Sequence, residues 1–534
     1  MKRRDFIHFG SLVGAGLTTS LYSACDSNEP SAAVFNDDFE LKEKTIRELI
    51  RAMESGQLTC EQITTLYLKR IEKIDVEGPG INSVIEVNPH AIPLAKELDK
   101  ERLEGKIRGP LHGIPLMLKD NIDTGDKMMT TAGSLALEGH YAAQDAPLVR
   151  QLRNAGALIL GKTNLSEWAN FRSTRSSSGW SGRGGQTKNP YAINRNPCGS
   201  SSGSGAAVSA NLCAGAVGTE TDGSVVCPSN ANGLVGIKPT VGLVSRTGII
   251  PISKTQDTAG PMARNVEDAA IMLSAMAGMD PEDEATQKAG EHIKEDYTLF
   301  LNKKALQGAR IGVARERFGF HEDVDDALNA GIEVLKAQGA AIIDLDKIYT
   351  NNGIQDAEFT VLLYEFKDGL NKYLSGLKDT QVQSLKDLIE FNKTHKDKEM
   401  PFFQQEILVM AEEKEDLSSK EYLDALELCR ETSQKNGIDR VMNENNLDAI
   451  VAPTGGPAWV TDLVTGDHFL GGSSDFAAIA GYPNITVPAG FVQNLPVGMS
   501  FFGRAFSEDK LIGLAYAFEQ ATKHRKAPGF IDYV

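Results

Sequence analysis

Two serine-containing turns carry the clearest chemical signal in this chain of 534 residues. The first, Cys198–Gly203, includes Ser200 and Ser201, and the second, Gly218–Ser224, ends in a serine. Glycine allows the backbone to approach a reacting atom closely, and serine hydroxyls act as nucleophiles or proton carriers. A flexible serine-glycine loop is the alternative, but such a loop would not continue into the apolar run Gly233–Ile237. The two turns therefore predict a serine-dependent active site.

Four further segments accompany the two turns, in an order that is similar to a known family. They are Gly113–Asp120, Gly161–Glu167, Ile450–Thr454 and Gly481–Pro488. Together with the serine turns they resemble the amidase signature family, whose members are Ser-Ser-Lys amide hydrolases. The resemblance extends over roughly residues 40–525. It implies one large α/β domain with a many-stranded, mixed central sheet covered by helices.

The resemblance also implies a role for each matching residue. Ser224 corresponds to the nucleophile and Lys119 to the base. Ser200 corresponds to the serine that the family holds after a cis peptide bond, and it would relay a proton between the other two. The family's oxyanion hole corresponds to the backbone N–H groups of Thr221, Asp222, Gly223 and Ser224.

Lys119 can take a proton from a serine only if its amine is neutral. The reference pKa of lysine is about 10.4, so activity near neutral pH needs a shift of about three units, roughly 4 kcal/mol. Burial supplies such a shift. Lys119 follows the apolar run Ile114–Leu118, which the pattern predicts to be a buried strand. Taken alone, the pattern also fits a surface lysine at a strand end, and the serine turns favour the buried site.

One departure from the family pattern bears on the substrate. Many members carry arginine two residues after the nucleophile, where this chain has Val226. In some members that arginine anchors an anionic substrate, so its absence argues against a small carboxylate substrate. The segments Thr219–Pro228 and Gly179–Gln186 look most like the peptide amidase branch, whose members remove the amide group from C-terminally amidated peptides.

A second motif overlaps the first serine turn. Gly199–Gly203 fits G-x-S-x-G, the nucleophile elbow of α/β-hydrolases, which would make Ser201 the nucleophile of an esterase. That fold needs a strand before the elbow, whereas residues 188–197 are turn-like and contain two prolines. The histidines available to such a triad are His395, His468 and His524.

The hydrophobic pattern alternates between strands and helices. Ala157–Leu160, Arg310–Ala314 and Ala341–Leu345 are predicted strands, and Val324–Ala337 is a predicted helix. This strand–helix–strand order predicts a largely parallel sheet with helices on both faces. Residues 355–445 are charged and helical in pattern. The family resemblance implies that this region shapes the substrate entrance, through residues such as Phe402 and Phe403, and a solvated helical layer is the alternative.

The N-terminus is typical of an export signal. Residues 1–24 begin with twin arginines and continue into an apolar stretch too short and glycine-rich for a membrane span. Cys25 lies at a lipoprotein-like cleavage site, residues 25–36 form a polar tether, and residues 37–534 form the amidase domain. We expect a periplasmic protein or a lipoprotein attached to a membrane through Cys25. Cleavage without lipid, or an uncleaved tail, are the alternatives.

Composition and charge limit the kinds of partner and cofactor that we expect this chain to bind. The formal net charge is −17 and no basic stripe occurs, which argues against nucleic-acid binding. No C-x-x-C or H-E-x-x-H motif occurs, so we expect neither a metal nor a cofactor. Cys198 and Cys227 flank the two serine turns. We expect them to be small buried apolar groups, and a disulfide is the alternative if the serines meet.

These observations predict an exported serine amidase that hydrolyses uncharged carboxamides with release of ammonia, including C-terminal amides of peptides. A catalytically silent lipoprotein that binds peptides or amides is a second hypothesis, against which the intact Lys119, Ser200 and Ser224 argue. The glutaminase-type component of a tRNA-dependent amidotransferase is a third. The sequence leaves the acyl side of the substrate and the oligomeric state open.

Overall fold

The apolar run before Lys119 forms a strand in the interior of a large sheet. The computed structural model describes residues 37–350, 353–378 and 380–534, so the predicted export signal, the tether and Cys25 lie outside the described residues. From residue 37 onward the chain forms one compact unit. Every residue of the strand Pro115–Lys119 is buried, as the sequence predicts.

Within the described residues, eleven strands form the central sheet, and two short strands form a separate hairpin. In chain order the strands are β1 (Val84–Val87), β2 (Pro115–Lys119), β3 (Leu158–Thr163), β4 (Trp180–Ser181), β5 (Gly185–Gln186), β6 (Gly215–Glu220), β7 (Val235–Lys238), β8 (Thr258–Ala263), β9 (Arg310–Ala314), β10 (Ala341–Leu345), β11 (Ala449–Pro453), β12 (Asn484–Val492) and β13 (Leu495–Phe502). The order across the large sheet is β1-β3-β2-β6-β8-β7-β12-β13-β11-β9-β10, and β4 pairs with β5.

Helices cover this sheet. They are α1 (Ile46–Glu54), α2 (Cys60–Arg70), α3 (Ala91–Leu103), α4 (Pro147–Asn154), α5 (Ser202–Ser209), α6 (Val226–Ala231), α7 (Val266–Met276), α8 (Glu284–Ala289), α9 (Glu322–Ala337), α10 (Ile354–Ser375), α11 (Leu385–Thr394), α12 (Lys396–Glu399), α13 (Glu406–Glu412), α14 (Lys420–Arg430), α15 (Asp439–Asn445), α16 (Ser474–Ala480) and α17 (Glu508–Thr522). Two π-helical segments, Ile71–Glu77 and Glu431–Ile438, extend α2 and α14.

The prediction that the strands of the sheet run largely parallel is partly wrong. The predicted strands Arg310–Ala314 and Ala341–Leu345 are confirmed, they pair in parallel, and α9 connects them. Six of the ten neighbouring strand pairs in the large sheet are nevertheless antiparallel, so the sheet is mixed. The strand–helix–strand rule holds where a helix crosses over between neighbours, whereas β12 and β13 are joined by a tight turn and must run in opposite directions. The mixed sheet implied by the family resemblance is confirmed.

Helices pack against the sheet in two groups. Helices α5 and α6 contact each other and pack on the sheet near β2, β6 and β7, while α7, α9 and α17 form a second group against it. The predicted helical region lies in α10 to α15, which adds a helical layer beside the sheet. Among the described residues, no helix combines the length and the apolar character needed to cross a bilayer.

Candidate active site

Lys119 ends β2 with its side chain completely buried. Strands β2 and β6 are parallel neighbours, and this pairing brings the lysine beside Thr219. The Lys119 amine lies 2.8 Å from Ser200 Oγ, 2.8 Å from Thr219 Oγ1 and 3.2 Å from the Thr219 carbonyl oxygen. The lysine is therefore surrounded by three oxygen atoms, none of which carries a full charge.

Burial lowers the pKa of Lys119 to about 7, although the carboxyls of Asp257 and Glu220 act in the opposite direction. Removal from water disfavours the charged ammonium because nothing in the site replaces its full hydration. The amine is consequently neutral in a large fraction of molecules near neutral pH. This is the shift that the sequence argument requires of a lysine acting as a base.

Ser200 lies in a closely packed turn. The Gly199–Ser200 peptide bond is cis, as the family resemblance implies. The Ser166 backbone N–H donates to the Ser200 carbonyl oxygen at 3.1 Å. A Cβ atom on Gly199 would lie 2.2 Å from Ser166 Oγ, so only glycine fits at this position. The packing of this turn places the Ser200 hydroxyl against the lysine.

Ser224 lies in the turn that connects β6 to α6. Gly223 has a φ of +78°, which favours glycine, and the Ser201 N–H donates to the Ser224 carbonyl oxygen at 3.2 Å. That bond joins the two serine turns. The Glu220 carboxylate accepts from the next two N–H groups, those of Val225 and Val226, at 2.8 and 3.0 Å. The Glu220 side chain thus binds the first N–H groups of α6 and holds the end of the turn that follows Ser224.

The predicted oxyanion donors lie in this same turn. Within the described part of the chain, no group accepts a hydrogen bond from the N–H of Asp222, Gly223 or Ser224. Burial and the neighbouring Asp475 raise the pKa of Asp222 to about 7, so its carboxyl carries less negative charge beside these donors than an ordinary aspartate. Free N–H groups with weak local negative charge suit the binding of an oxyanion.

Cys198 and Cys227 form a disulfide, with their Cα atoms 6.0 Å apart. The expectation of two separate buried thiols is therefore wrong. The physical reason is that the two turns meet, which places Cys198, just before Ser200, against Cys227 in α6. The disulfide is a covalent link between the two segments that carry the serines.

The elbow motif does not have the surroundings of an α/β-hydrolase nucleophile. Residues 188–197 form turns with two isolated bridge residues instead of a strand. Ser201 Oγ donates to the Thr219 carbonyl at 3.0 Å and accepts from the Thr219 N–H at 3.2 Å. Its hydroxyl therefore holds the backbone of β6.

Two residues of the site received no chemical role from the sequence. Thr219 contacts the Lys119 amine, and the Asn121 side-chain amide donates to Thr219 Oγ1 at 3.0 Å. Thr219 lies within the second serine turn and Asn121 directly follows the segment Gly113–Asp120, but neither segment shows which strand is its neighbour. The sequence feature that could have indicated this role is the hydroxyl of Thr219, on the strand that precedes Ser224.

A cavity of about 340 Å³ opens beside this site. Its wall includes Asn121, Thr219, Thr221 and Asp257, and Tyr373 of α10 lies on the wall as well. The cavity thus reaches the residues that contact the lysine. Residues 37–350, 353–378 and 380–534 contain no group of three or more His, Cys, Asp or Glu side chains able to hold a metal ion.

A buried amine with a lowered pKa, bonded to a serine hydroxyl and near a second serine in a turn with free N–H groups, is what a serine-dependent hydrolase requires. The Amidase family model matches residues 62–512, and the chain belongs to the Amidase family, as an amide-hydrolysing enzyme.

Known proteins similar to this chain agree with that assignment. A probable amidase of Arabidopsis thaliana is 44% identical over 502 residues, which cover 92% of this chain and 93% of that protein. The structure of native peptide amidase from Stenotrophomonas maltophilia is 48% identical, with a TM-score of 0.88 and coverage of 92% of this chain and 99% of that chain. The crystal structure of an amidase family protein from Bacillus anthracis str. Ames is 38% identical, with a TM-score of 0.83 and coverage of 92% and 93%.

Proposed function

We propose that this amidase uses Ser224 as nucleophile, Lys119 as base and Ser200 as the relay between them. The observation that carries the proposal is the 2.8 Å contact between the Lys119 amine and Ser200 Oγ in a fully buried setting. A base must lie within hydrogen-bond reach of the proton that it accepts, and a pKa near the working pH suits it for transfer in both directions.

The proposed reaction uses these three side chains in turn. Lys119 accepts the Ser200 proton while Ser200 accepts that of Ser224, whose oxygen forms a bond to the amide carbon. The N–H groups of the Asp222–Ser224 turn stabilise the resulting oxyanion. The relay then runs in reverse and protonates the departing nitrogen, which leaves as ammonia. Water, activated through the same relay, hydrolyses the acyl-serine and releases the carboxylic acid.

The proposed substrates are uncharged carboxamides, with C-terminal amides of peptides as the preferred class. Val226 supplies no positive charge near the nucleophile, and its own N–H is bound to Glu220. The likeness to peptide amidase over almost its whole length supports a peptide amide.

Aromatic side chains are the proposed entrance for the peptide. Trp180 of the β4–β5 hairpin packs edge-on against Phe402 and Phe403, with ring centres 5.6 and 5.2 Å away. The hairpin adjoins the Ser200 turn, because the Gly179 N–H donates to Ser166 Oγ at 2.9 Å. Phe402 is 45% exposed, so a peptide can contact its ring.

Ammonia release from a C-terminally amidated peptide tests the proposal. Wild-type protein should release ammonia, and Ser224→Ala should not. Ser201→Ala is the comparison variant, because the overlapping elbow motif would make Ser201 the nucleophile instead. Release retained in Ser224→Ala and lost only in Ser201→Ala would reassign the nucleophile. No release by the wild type from amidated peptides would refute the proposed substrate class, and simpler amides would then be tested.

Export is the second part of the proposal. We propose that residues 1–24 direct the protein out of the cytoplasm and that Cys25 carries lipid. Disulfides persist mainly in oxidising compartments, and the Cys198–Cys227 disulfide supports this location. Globomycin, which blocks lipoprotein signal cleavage, should cause the precursor to accumulate. A processing pattern that globomycin and Cys25→Ala both leave unchanged would contradict lipidation.

A further inference from the structure

We infer that Thr219 and Asn121 form a positioning pair that directs the lone pair of the Lys119 amine toward Ser200. The inference rests on the proposed role of Lys119 as base. It assigns a positioning role to two residues that neither exchange a proton with the substrate nor contact the reacting carbon in the proposed mechanism.

The hydrogen-bond inventory of the amine supports this orientation. A neutral primary amine has two N–H donors and one lone pair. Three oxygens lie within 3.2 Å of Lys119 Nζ: the Thr219 carbonyl, Thr219 Oγ1 and Ser200 Oγ. The carbonyl can only accept a hydrogen bond. If Thr219 Oγ1 also accepts, both N–H groups point at Thr219 and the lone pair faces the Ser200 hydroxyl.

Asn121 restricts the Thr219 hydroxyl to fewer orientations and favours the one in which Oγ1 accepts from the amine. A hydroxyl oxygen has two lone pairs and one hydrogen. The Asn121 amide donates to Thr219 Oγ1 at 3.0 Å, and Lys119 donates to it at 2.8 Å. With both lone pairs occupied, the Thr219 hydrogen is directed away from the amine. Without Asn121 the hydroxyl is free to rotate, donate to the amine and block the lone pair that the base requires.

The pair is itself held firmly. Thr219 lies in β6 and pairs with Ala259 of β8, and both its N–H and its carbonyl bind Ser201 Oγ. Asn121 is only 2% exposed, and Ser200 and Lys119 are fully buried. Water therefore competes little for these bonds, and the orientation exists before a substrate arrives. Such preorganisation is what makes a positioned base effective.

Two substitutions test the pair kinetically. Thr219→Val keeps the shape of the side chain and removes Oγ1, whereas Thr219→Ser retains the hydroxyl and is the matched control. We expect Thr219→Val to lower kcat for an amidated peptide by about tenfold to a hundredfold, the range that a small misplacement of a reacting group produces. KM should change little, and Thr219→Ser should recover most of the lost rate. Asn121→Leu should also lower kcat.

The pH profile distinguishes positioning from a general loss of structure. An acceptor stabilises an ammonium more than an amine, so removing Oγ1 favours the neutral form of Lys119. The acidic limb of kcat/KM should therefore move to lower pH in Thr219→Val and remain in place in Thr219→Ser. Structural damage alone would lower the plateau without moving this limb.

A measurement independent of activity completes the test. Lysine labelled with ¹³C at Cε reports the titration of Lys119 by NMR, with the Lys119→Met spectrum identifying its signal. The titration should move to lower pH in folded Thr219→Val protein. If that protein keeps both the wild-type titration and the wild-type kcat, the positioning pair is refuted. If the wild type releases ammonia from neither amidated peptides nor simpler amides, the proposed function fails, and the titration still decides whether Thr219 binds the amine as inferred.

Discussion

Replacing Lys119 by methionine should reveal the charge state of the buried amine through protein stability. The pKa of Lys119 is about 7 in the folded protein, against about 10.4 in an unfolded chain. Between these values the unfolded chain binds a proton that the folded protein lacks, so the stability of the wild type rises with pH. The full difference corresponds to about 4–5 kcal/mol, at 1.36 kcal/mol for each pKa unit.

The sign and the pH window follow from the same two values. Below pH 7 the buried Lys119 lowers the free energy of unfolding by the full amount. This destabilising contribution decreases as the pH approaches about 10.4, where the lysine of the unfolded chain also loses its proton. Methionine carries no such contribution. The free energy of unfolding of the wild type, minus that of Lys119→Met, should therefore increase by about 2 kcal/mol between pH 7 and pH 9. Lost hydrogen bonds to Ser200 and Thr219 shift this difference equally at both pH values.

Equilibrium unfolding in urea at pH 7, 8 and 9 measures this difference. Lys303→Met, on the exposed surface, controls for the loss of a lysine charge. If the difference in the free energy of unfolding between the wild type and Lys119→Met does not change with pH, Lys119 is charged in the folded protein across this range. The amine would then be unable to act as the base, and the proton relay through Ser200 would have to be abandoned.

Three further predictions concern pH, redox state and substrate. Lys119 binds a proton below about pH 7, so kcat/KM for an amidated peptide should rise through a limb near that pH, and a limb above pH 9 would contradict the assignment. Reduction of the Cys198–Cys227 disulfide should expose two additional thiols and lower the free energy of unfolding by about 3.5 kcal/mol, from a sequence separation of 29 residues. The double variant Cys198→Ser/Cys227→Ser should show no response to reductant, and an unchanged thiol count in the wild type would disprove the link. Phe402→Ala should raise KM for amidated peptides about twofold to tenfold through loss of its aromatic contacts, and an unchanged KM would exclude it from the entrance.

Local features of the chain were predictable because each depends on a few neighbouring residues. Thr59 and Gln62 have the spacing that predicts a capping box, and in the structure the Gln62 backbone N–H donates to the Thr59 hydroxyl at 3.1 Å. The buried strand before Lys119 and the strand–helix–strand unit that ends at Leu345 are confirmed for the same reason. Periodicity and capping encode which face of an element is buried, but not which element lies beside it.

The family resemblance supplied what the local pattern lacked at the site. It brought Ser200 and Lys119 together, and the structure places their side-chain atoms 2.8 Å apart. The pairing of Cys198 with Cys227 did not follow from the sequence, because it requires the two serine turns to meet. The direction of the central strands also escaped the local pattern, since it depends on connections between distant segments.

The sequence by itself determined the order of the motifs, the acidic charge and the positions of the serines and the lysine that we propose as catalytic residues. Only the tertiary structure decided how basic that lysine is and which oxygen atoms surround it. Lys119 and Thr219 lie 100 residues apart in the chain and meet because β2 and β6 are neighbours in the sheet. The neutral amine requires the complete core around it, because burial is the property that disfavours its charge.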